Sequence, residues 1–158
     1  EDENLQSVDF GKFLEELESQ HLRLGHKINI SKISRSQEIP KKLYVDLRPL
    51  AFKRMLDNLI NNAVKYAKSK DVDLVTKLYE EKIVINILDK GPGIPKEHRK
   101  NLLQPFEKLD KARTTDGGSG LGLAIASRIA KSHGGKLELL NRKSGGLNVK
   151  VTVPLHKA

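Results

Sequence analysis

Three short stretches carry residues whose types and spacing can do chemistry. In "LDKGPGIP", Leu88 to Pro95, an acid closes an apolar segment, and Gly91 and Gly93 follow at once. A carboxylate at a strand end can accept hydrogen bonds from an exocyclic amine, and glycines let a ligand come close to the backbone. Pro-Gly is also what an ordinary type II turn requires, and for these residues alone the turn is the simpler account. In "GGSGLGLAIA", Gly117 to Ala126, four glycines stand immediately before a helical pattern. Unpaired N–H groups and the positive end of the dipole make a helix start an anion site, and missing side chains admit phosphate. A flexible hinge would use the same glycines. The stretch is neither of the common phosphate loops: Leu123 and Ala124, not Lys and Ser or Thr, follow Gly122, and the G-x-G-x-x-G spacing is missing.

The third stretch is "DNLINNAVKYAK", Asp57 to Lys68. At about 100° per residue, Phe52, Leu56, Leu59, Ile60, Ala63 and Ala67 share one helix face, while Asn58, Asn61, Asn62, Lys65 and Tyr66 gather on the opposite one. Asn competes for backbone hydrogen bonds, so three amides in so short a span are a local cost. A solvated face accounts for them as well as a working one does.

Other chemistries lack their landmarks. The histidines at 21, 26, 98, 133 and 156 are scattered with no H-x-x-H or H-E-x-x-H spacing, which predicts surface or capping roles. No G-x-S-x-G elbow exists, and the absence of cysteine excludes disulfides and thiolate metal sites.

The elements that must position these stretches follow from periodicity. Ser7 or Asp9 can cap a helix through "FGKFLEELESQHL". "HKINISKI" alternates as a half-buried strand with Ile28, Ile30 and Ile33 inward or flanking, and "KLYVD" is a short second strand. The Asn-bearing helix begins near Pro49. "DVDLVTKLYE" and "KIVINILD" form a hairpin, "SGLGLAIASRIAKSH" a helix stopped by Gly134 and Gly135, and "KLELLN" and "LNVKVTVPL" a terminal hairpin. This order predicts an α+β fold with a mixed, mainly antiparallel sheet covered on one face by helices. Residues 95–117 form the one long irregular stretch, a length that is usually functional or disordered, and Phe106 beside Pro105 suits a loop anchor.

The chain has 158 residues, the size of one domain, and its 37% hydrophobic fraction is enough for a single core. No apolar run is long enough to span a membrane and no signal peptide opens the sequence. The start at Glu1 without Met suggests a piece of a longer protein whose remainder could hold a membrane anchor. Lys and Arg number 29 against 20 Asp and Glu, a net charge of +9 that attracts polyanions. The basic residues are dispersed and only seven residues are Phe or Tyr, so direct nucleic-acid binding is not expected.

Taken in order, "NLINNAVKY", "DKGPGIP", "PFEKLD" and "GSGLGLAI" resemble the N, G1, F and G2 boxes of the catalytic and ATP-binding domain of sensor histidine kinases. That domain belongs to the superfamily of gyrase, heat-shock chaperone and mismatch-repair ATPases. The resemblance covers about Ser7 to Leu155, and "PFEKLDKARTTDGGSGLGLAIASRIAKSHGG" is especially similar to osmosensor-type kinases. It implies the Bergerat (GHKL) two-layer α/β sandwich with three helices on one sheet face, and a single catalytic domain over residues 1–158 with an ATP lid at about 95–117.

The resemblance also implies roles. Asn62 would supply an oxygen to Mg²⁺, a metal that prefers oxygen ligands and takes few from protein when phosphates are present. Asn58 and Lys65 share its helix face, Lys65 to meet phosphate, and Tyr66 packs beside adenine. Asp89 receives the adenine amino group, with Gly91, Gly93 and Ile94 lining the base. Gly118, Gly120, Leu121, Gly122 and Leu123 frame the phosphates at the helix start. Phe106 anchors the lid, and Arg113 and Lys108 are phosphate contacts.

Hydrolysing members of the superfamily carry a water-activating Glu four residues before the metal-binding Asn; here Asn58 stands there, and an amide cannot take a proton. The implied reaction is transfer of the ATP γ-phosphoryl group to a neutral histidine. None of the five histidines has the family's phosphoacceptor pattern, so the acceptor is expected in an upstream dimerisation domain, with a response regulator downstream. The isolated domain is expected to be monomeric, its parent a homodimer, and its place the cytoplasmic portion of a membrane-bound sensor. The competing functions are a self-sufficient ATPase or protein-serine kinase of the superfamily, a nucleotide-sensing module without transfer activity, and a basic nucleic-acid binder.

Overall fold

The computed structural model describes residues 3–30, 43–67, 71–91, 121–143 and 145–155. A strand β1 (Gln6–Asp9) opens them and runs directly into helix α1 (Phe10–Arg23). Asp9 is the cap of that helix: its side chain accepts from Lys12 N at 3.2 Å. Ser7, the other candidate cap, lies inside β1 and opposite Asp46. Phe10, Leu14, Leu17 and His21 recur at helical spacing and are all buried. The helix stops in a Schellman turn at Gly25 (φ +84°), where His26 N donates to His21 O and Gly25 N to Leu22 O, each at 3.0 Å.

Strand β2 (Ile28–Ile30) places Ile28 and Ile30 against the core, and Ile33 lies outside the described residues. Strand β3 (Tyr44–Leu47), expected as a partner of the main sheet, pairs antiparallel with β1 in a separate two-stranded sheet. A four-residue "QSVD" offers too few alternations to be read as a strand by itself, and the pairing that makes it one lies some forty positions away.

Helix α2 (Pro49–Tyr66) has Pro at its first position. Strands β4 (Val72–Leu78) and β5 (Lys82–Leu88) form the expected hairpin, and helix α3 (Leu121–Ser132) leads through Gly134 and Gly135 into the hairpin of β6 (Lys136–Asn141) and β7 (Leu147–Pro154). The order β2-β4-β5-β7-β6 joins β2 to β4 in parallel and every other pair antiparallel. α3 closes in a second Schellman turn, with Gly134 at φ +80° and Gly135 N donating to Ala130 O at 2.9 Å.

The core lies between this sheet and the three helices. Phe52, Leu56, Leu59, Ile60, Ala63 and Ala67, the predicted inner face of α2, are all buried. They meet Leu74, Ile85, Ile87 and Val151 from alternate positions of the strands. On α3 the buried side of the helix includes Leu123, Ala126 and Ala130, and the small alanines let it lie close along α2.

Candidate functional site

Strand register gathers the chemistry at one end of the sheet. Asp73 at the start of β4 faces Leu88 at the end of β5, Leu88 faces Asn148 at the start of β7, and Asn141 at the end of β6 faces Leu147. The last turn of α2 belongs to that end, because only residues 67–71 separate Tyr66 from β4. α3 arrives there from the opposite direction. Its C-terminus is pinned to the start of α2, where Arg48 N donates to His133 Nε2 at 3.0 Å and Arg48 Nη1 to Ser132 O at 2.9 Å. The two helices are therefore antiparallel, and Leu121 and Gly122 begin α3 on the side of Asp89 and the α2 C-terminus.

Asp89 is the centre of this end. It is only 1% exposed, which would be costly for a carboxylate without partners. Its Oδ1 accepts from Gly91 N at 2.9 Å and from Leu147 N at 3.1 Å. Its backbone is held as firmly: Asp89 N donates to Leu147 O at 3.0 Å, and Asp89 O accepts from Arg142 Nη1 at 2.8 Å. Gly146 (φ +93°) packs so tightly that a Cβ there would lie 2.0 Å from Asp89 O. Arg142, Gly146 and Leu147 are not among the site residues expected from the sequence; they lie in and beside the turn of the terminal hairpin, where the glycine pair of "RKSGG" signals a turn and nothing more.

On α2, Asn58 and Asn62 are half-buried and Asn61 and Lys65 exposed. Tyr66 corrects the helical projection that put it on the polar face, since it is 3% exposed and belongs to the core cluster. A residue in the last turn is packed by the chain that follows as well as by its own helix face. Lys65 Nζ lies 5.4 Å from the Tyr66 ring centroid, a cation–π contact that holds the ammonium near the helix end. Gly122 is half-buried, and no described atom lies within 4 Å of where a Cβ would stand. Leu123 is buried, and Leu121 opens the helix. Gly93, Ile94, Phe106, Lys108, Arg113, Gly118 and Gly120, with the stretch 95–117, lie outside the described residues.

Two histidines expected in surface or capping roles are buried. His21, 2% exposed, places Nε2 2.8 Å from Asp57 Oδ1 and Nδ1 2.9 Å from His26 Nδ1. Lys53 completes the group with an ion pair to Asp57 Oδ2 at 2.6 Å. The His26 pKa is lowered, chiefly because burial disfavours its charged form and secondarily by His21. His133, also 2% exposed, accepts the Arg48 N–H on Nε2 and so carries its proton on Nδ1, 2.9 Å from Ile129 O. Asp57 and Arg48 lie 36 and 85 residues from the histidines they meet, which is why spacing along the chain did not reveal these two contacts.

Residues 48–157 match the family model described as histidine kinase-, DNA gyrase B-, and HSP90-like ATPase. The chain belongs to this ATPase family. It is 35% identical over 153 residues to the sensor histidine kinase GtrS of Pseudomonas aeruginosa, covering 96% of this chain and 29% of that protein. It is 31% identical to the sensor protein kinase WalK of Staphylococcus aureus, covering 96% and 36%. The chain thus spans about a third or less of these relatives. Among solved structures, the histidine kinase domain of the E. coli osmosensor EnvZ has a TM-score of 0.72 at 30% identity, with 100% and 93% of the two chains covered. The catalytic domain of histidine kinase ThkA has a TM-score of 0.78 at 22% identity, covering 96% and 97%, a likeness of fold. Within the family the chain is an ATP-binding catalytic domain of the histidine kinase type, and the three helices among its described residues, on a mixed sheet, are the GHKL architecture.

Proposed function

We propose that this domain binds ATP with Mg²⁺ at the end of the sheet marked by Asp89 and delivers the γ-phosphoryl group to a histidine on a separate dimerisation domain of the parent protein. The observation that carries this is the Asp89 carboxylate, buried and held by Gly91 N and Leu147 N at the sheet end where α2 finishes and α3 begins. A rigid acceptor there suits the exocyclic amine of adenine, and the α3 N-terminus behind Gly122 suits the phosphates. Gly91, Gly93 and Ile94 line the base with Tyr66, while Gly118, Gly120, Leu121 and Leu123 complete the phosphate frame.

Among the described residues no group of three or more His, Cys, Asp or Glu is placed to hold a metal. The half-buried Asn62 amide, with phosphate oxygens, is a donor set that fits Mg²⁺. Bound there, the ion would neutralise charge on the phosphates. Lys65, Arg113 and Lys108 are the cations assigned to the same task, and Phe106 anchors a lid over 95–117. The reaction needs little else from this chain, because phosphoryl transfer is driven by positioning and charge stabilisation. A lone pair of the acceptor imidazole forms the new N–P bond as the bond from the γ-phosphorus to the bridging oxygen breaks, and ADP leaves with that electron pair. Asn58 supplies no base, and a neutral imidazole requires none.

The phosphoryl group would then pass to a response-regulator aspartate. Among the described residues no helix is long and apolar enough to cross a membrane; we place the domain on the cytoplasmic side of a homodimeric sensor, and as a monomer when isolated. Calorimetric titration with ATP, with and without Mg²⁺, tests binding: one-to-one saturation weakened by Asp89→Asn is expected. Mixing the domain with its histidine domain and γ-labelled ATP should give an acid-labile phosphoprotein. Acid-stable label, or phosphate release by the domain alone, would replace transfer to histidine with serine kinase or ATPase activity.

A further inference from the structure

We propose that Glu3 and Arg48 are positioning residues that set the angle between α2 and α3, so that the segment before β1 tunes the nucleotide site from the opposite pole of the domain. The inference rests on the nucleotide reading above for its functional consequence, not for its geometry.

The start of α2 lacks a side-chain cap from its own Arg48. Glu3 supplies one from outside the helix: Oε2 accepts from Leu50 N at 2.8 Å and Oε1 from Ala51 N at 3.0 Å. A carboxylate on two orphan helix donors is a charge-assisted contact that also meets the positive end of the dipole. Glu3 O accepts from Arg48 Nε at 3.0 Å, so the same residue orients the guanidinium. Arg48 then reaches α3 twice, through Nη1 to Ser132 O and through its backbone N to His133 Nε2. The Phe52 ring, one turn into α2, meets the His133 ring edge-on at 5.3 Å. Three polar contacts at 2.8–3.0 Å thus bind an N-terminal strap to the start of α2, and two more, at 2.9 and 3.0 Å, carry the connection through Arg48 to the end of α3.

Both helices carry their proposed site residues at the far end. α2 is about 27 Å long, so a rotation of about 5° at the pinned end moves its last turn by about 2 Å. Buried side chains along the shared face transmit such a rotation because packed interiors resist compression. The structure shows Glu3 seated on Leu50 N and Ala51 N; coupling between distant sites requires a second state, and withdrawal of Glu3 from these donors is the one we assign. If the residues before β1 lead to the dimerisation domain, their tension is the input.

The test uses the 158-residue chain as wild type, Glu3→Ala, Glu3→Gln and Arg48→Lys, with amide NMR spectra and ATP calorimetry on each. Coupling predicts shifted amides at residues 63–66 and 122–124 in Glu3→Ala and Arg48→Lys, partly restored in Glu3→Gln, which keeps one accepting oxygen. ATP affinity should fall about three- to tenfold in the same order. Shifts confined to residues 48–52 and 129–133 would show a merely local cap and overturn the proposal, as would far-end shifts with unchanged affinity in a domain that binds ATP. If the wild type binds no ATP, the nucleotide reading fails and the far-end amides alone decide the coupling. If Glu3→Ala does not fold, Glu3→Gln and Arg48→Lys are judged by the same amides.

Discussion

Leu147 donates its backbone N–H to Asp89 Oδ1 at 3.1 Å, across 58 residues of chain. The bond joins the first residue of β7 to the residue that follows β5, so the orientation of the carboxylate depends on how the last hairpin of the protein is built. Arg142 and Gly146, at the two ends of that hairpin's turn, close on the same aspartate.

Gly146→Ala should therefore disturb the site as well as the turn. The new Cβ would lie 2.0 Å from Asp89 O, on a backbone at φ +93°. Urea unfolding should show a loss of about 2–4 kcal/mol, and ATP affinity should fall with it. Gly145→Ala is the control, since Gly145 has φ +96° but nothing within 4 Å of its Cβ position. It should cost about 1 kcal/mol and leave affinity near wild type. Equal effects of the two would show that backbone conformation, not the Asp89 contact, matters.

Arg142→Ala removes the donor to Asp89 O without touching the carboxylate. The expected outcome is a stability change near 1 kcal/mol and about a fivefold loss of ATP affinity. Arg142→Lys should recover little, because a single flexible ammonium does not reproduce the guanidinium geometry. Wild-type affinity in both would mean that the backbone bonds alone aim Asp89.

The lowered His26 pKa, caused chiefly by burial and secondarily by His21, predicts how stability depends on pH. His26 has a pKa lowered in the folded state, so the unfolded chain binds more protons just below its ordinary value of about 6.5. The contribution is fully present above about pH 6.5 and declines as pH falls through that value towards the lowered one. The urea midpoint should rise as pH is raised through the range below about 6.5 and level off above it, and His26→Gln should flatten the rise. An unchanged slope in that variant would assign the dependence to other groups.

Asn62→Ala separates metal binding from nucleotide binding. The expected result is loss of the part of ATP affinity that Mg²⁺ adds, with metal-free binding retained. Asn61→Ala, on the exposed neighbour, should leave both intact. If Asn62→Ala binds ATP with the same Mg²⁺ dependence as wild type, the ion takes its protein ligand elsewhere.

Much of the fold is legible in the sequence because periodicity records which face of an element is buried. The inner face of α2 and the alternation of β4, β5, β6 and β7 were readable from residue spacing. A cap at Ser7 or Asp9, of which the structure selects Asp9, Pro49 at a helix start and Gly134 at a helix end follow from local backbone chemistry. The ordered motifs were equally clear, since each lies within a few consecutive residues. What the sequence by itself determined is therefore what neighbours within a turn or a strand set: the elements other than β1, most of their buried faces, and the family.

Tertiary structure alone decided what depends on contacts between distant segments. β1 exists as a strand because β3 pairs with it, His21 on the buried face of α1 finds its partner Asp57 36 residues away, and Tyr66 leaves the polar face because the core closes over the end of α2. The braces on Asp89 from Arg142 and Leu147, and the strap from Glu3 through Arg48 to His133, join residues 45 to 85 positions apart. Hydrogen bonds act over about 3 Å of space and are indifferent to distance along the chain, so no local pattern of residue types can announce them.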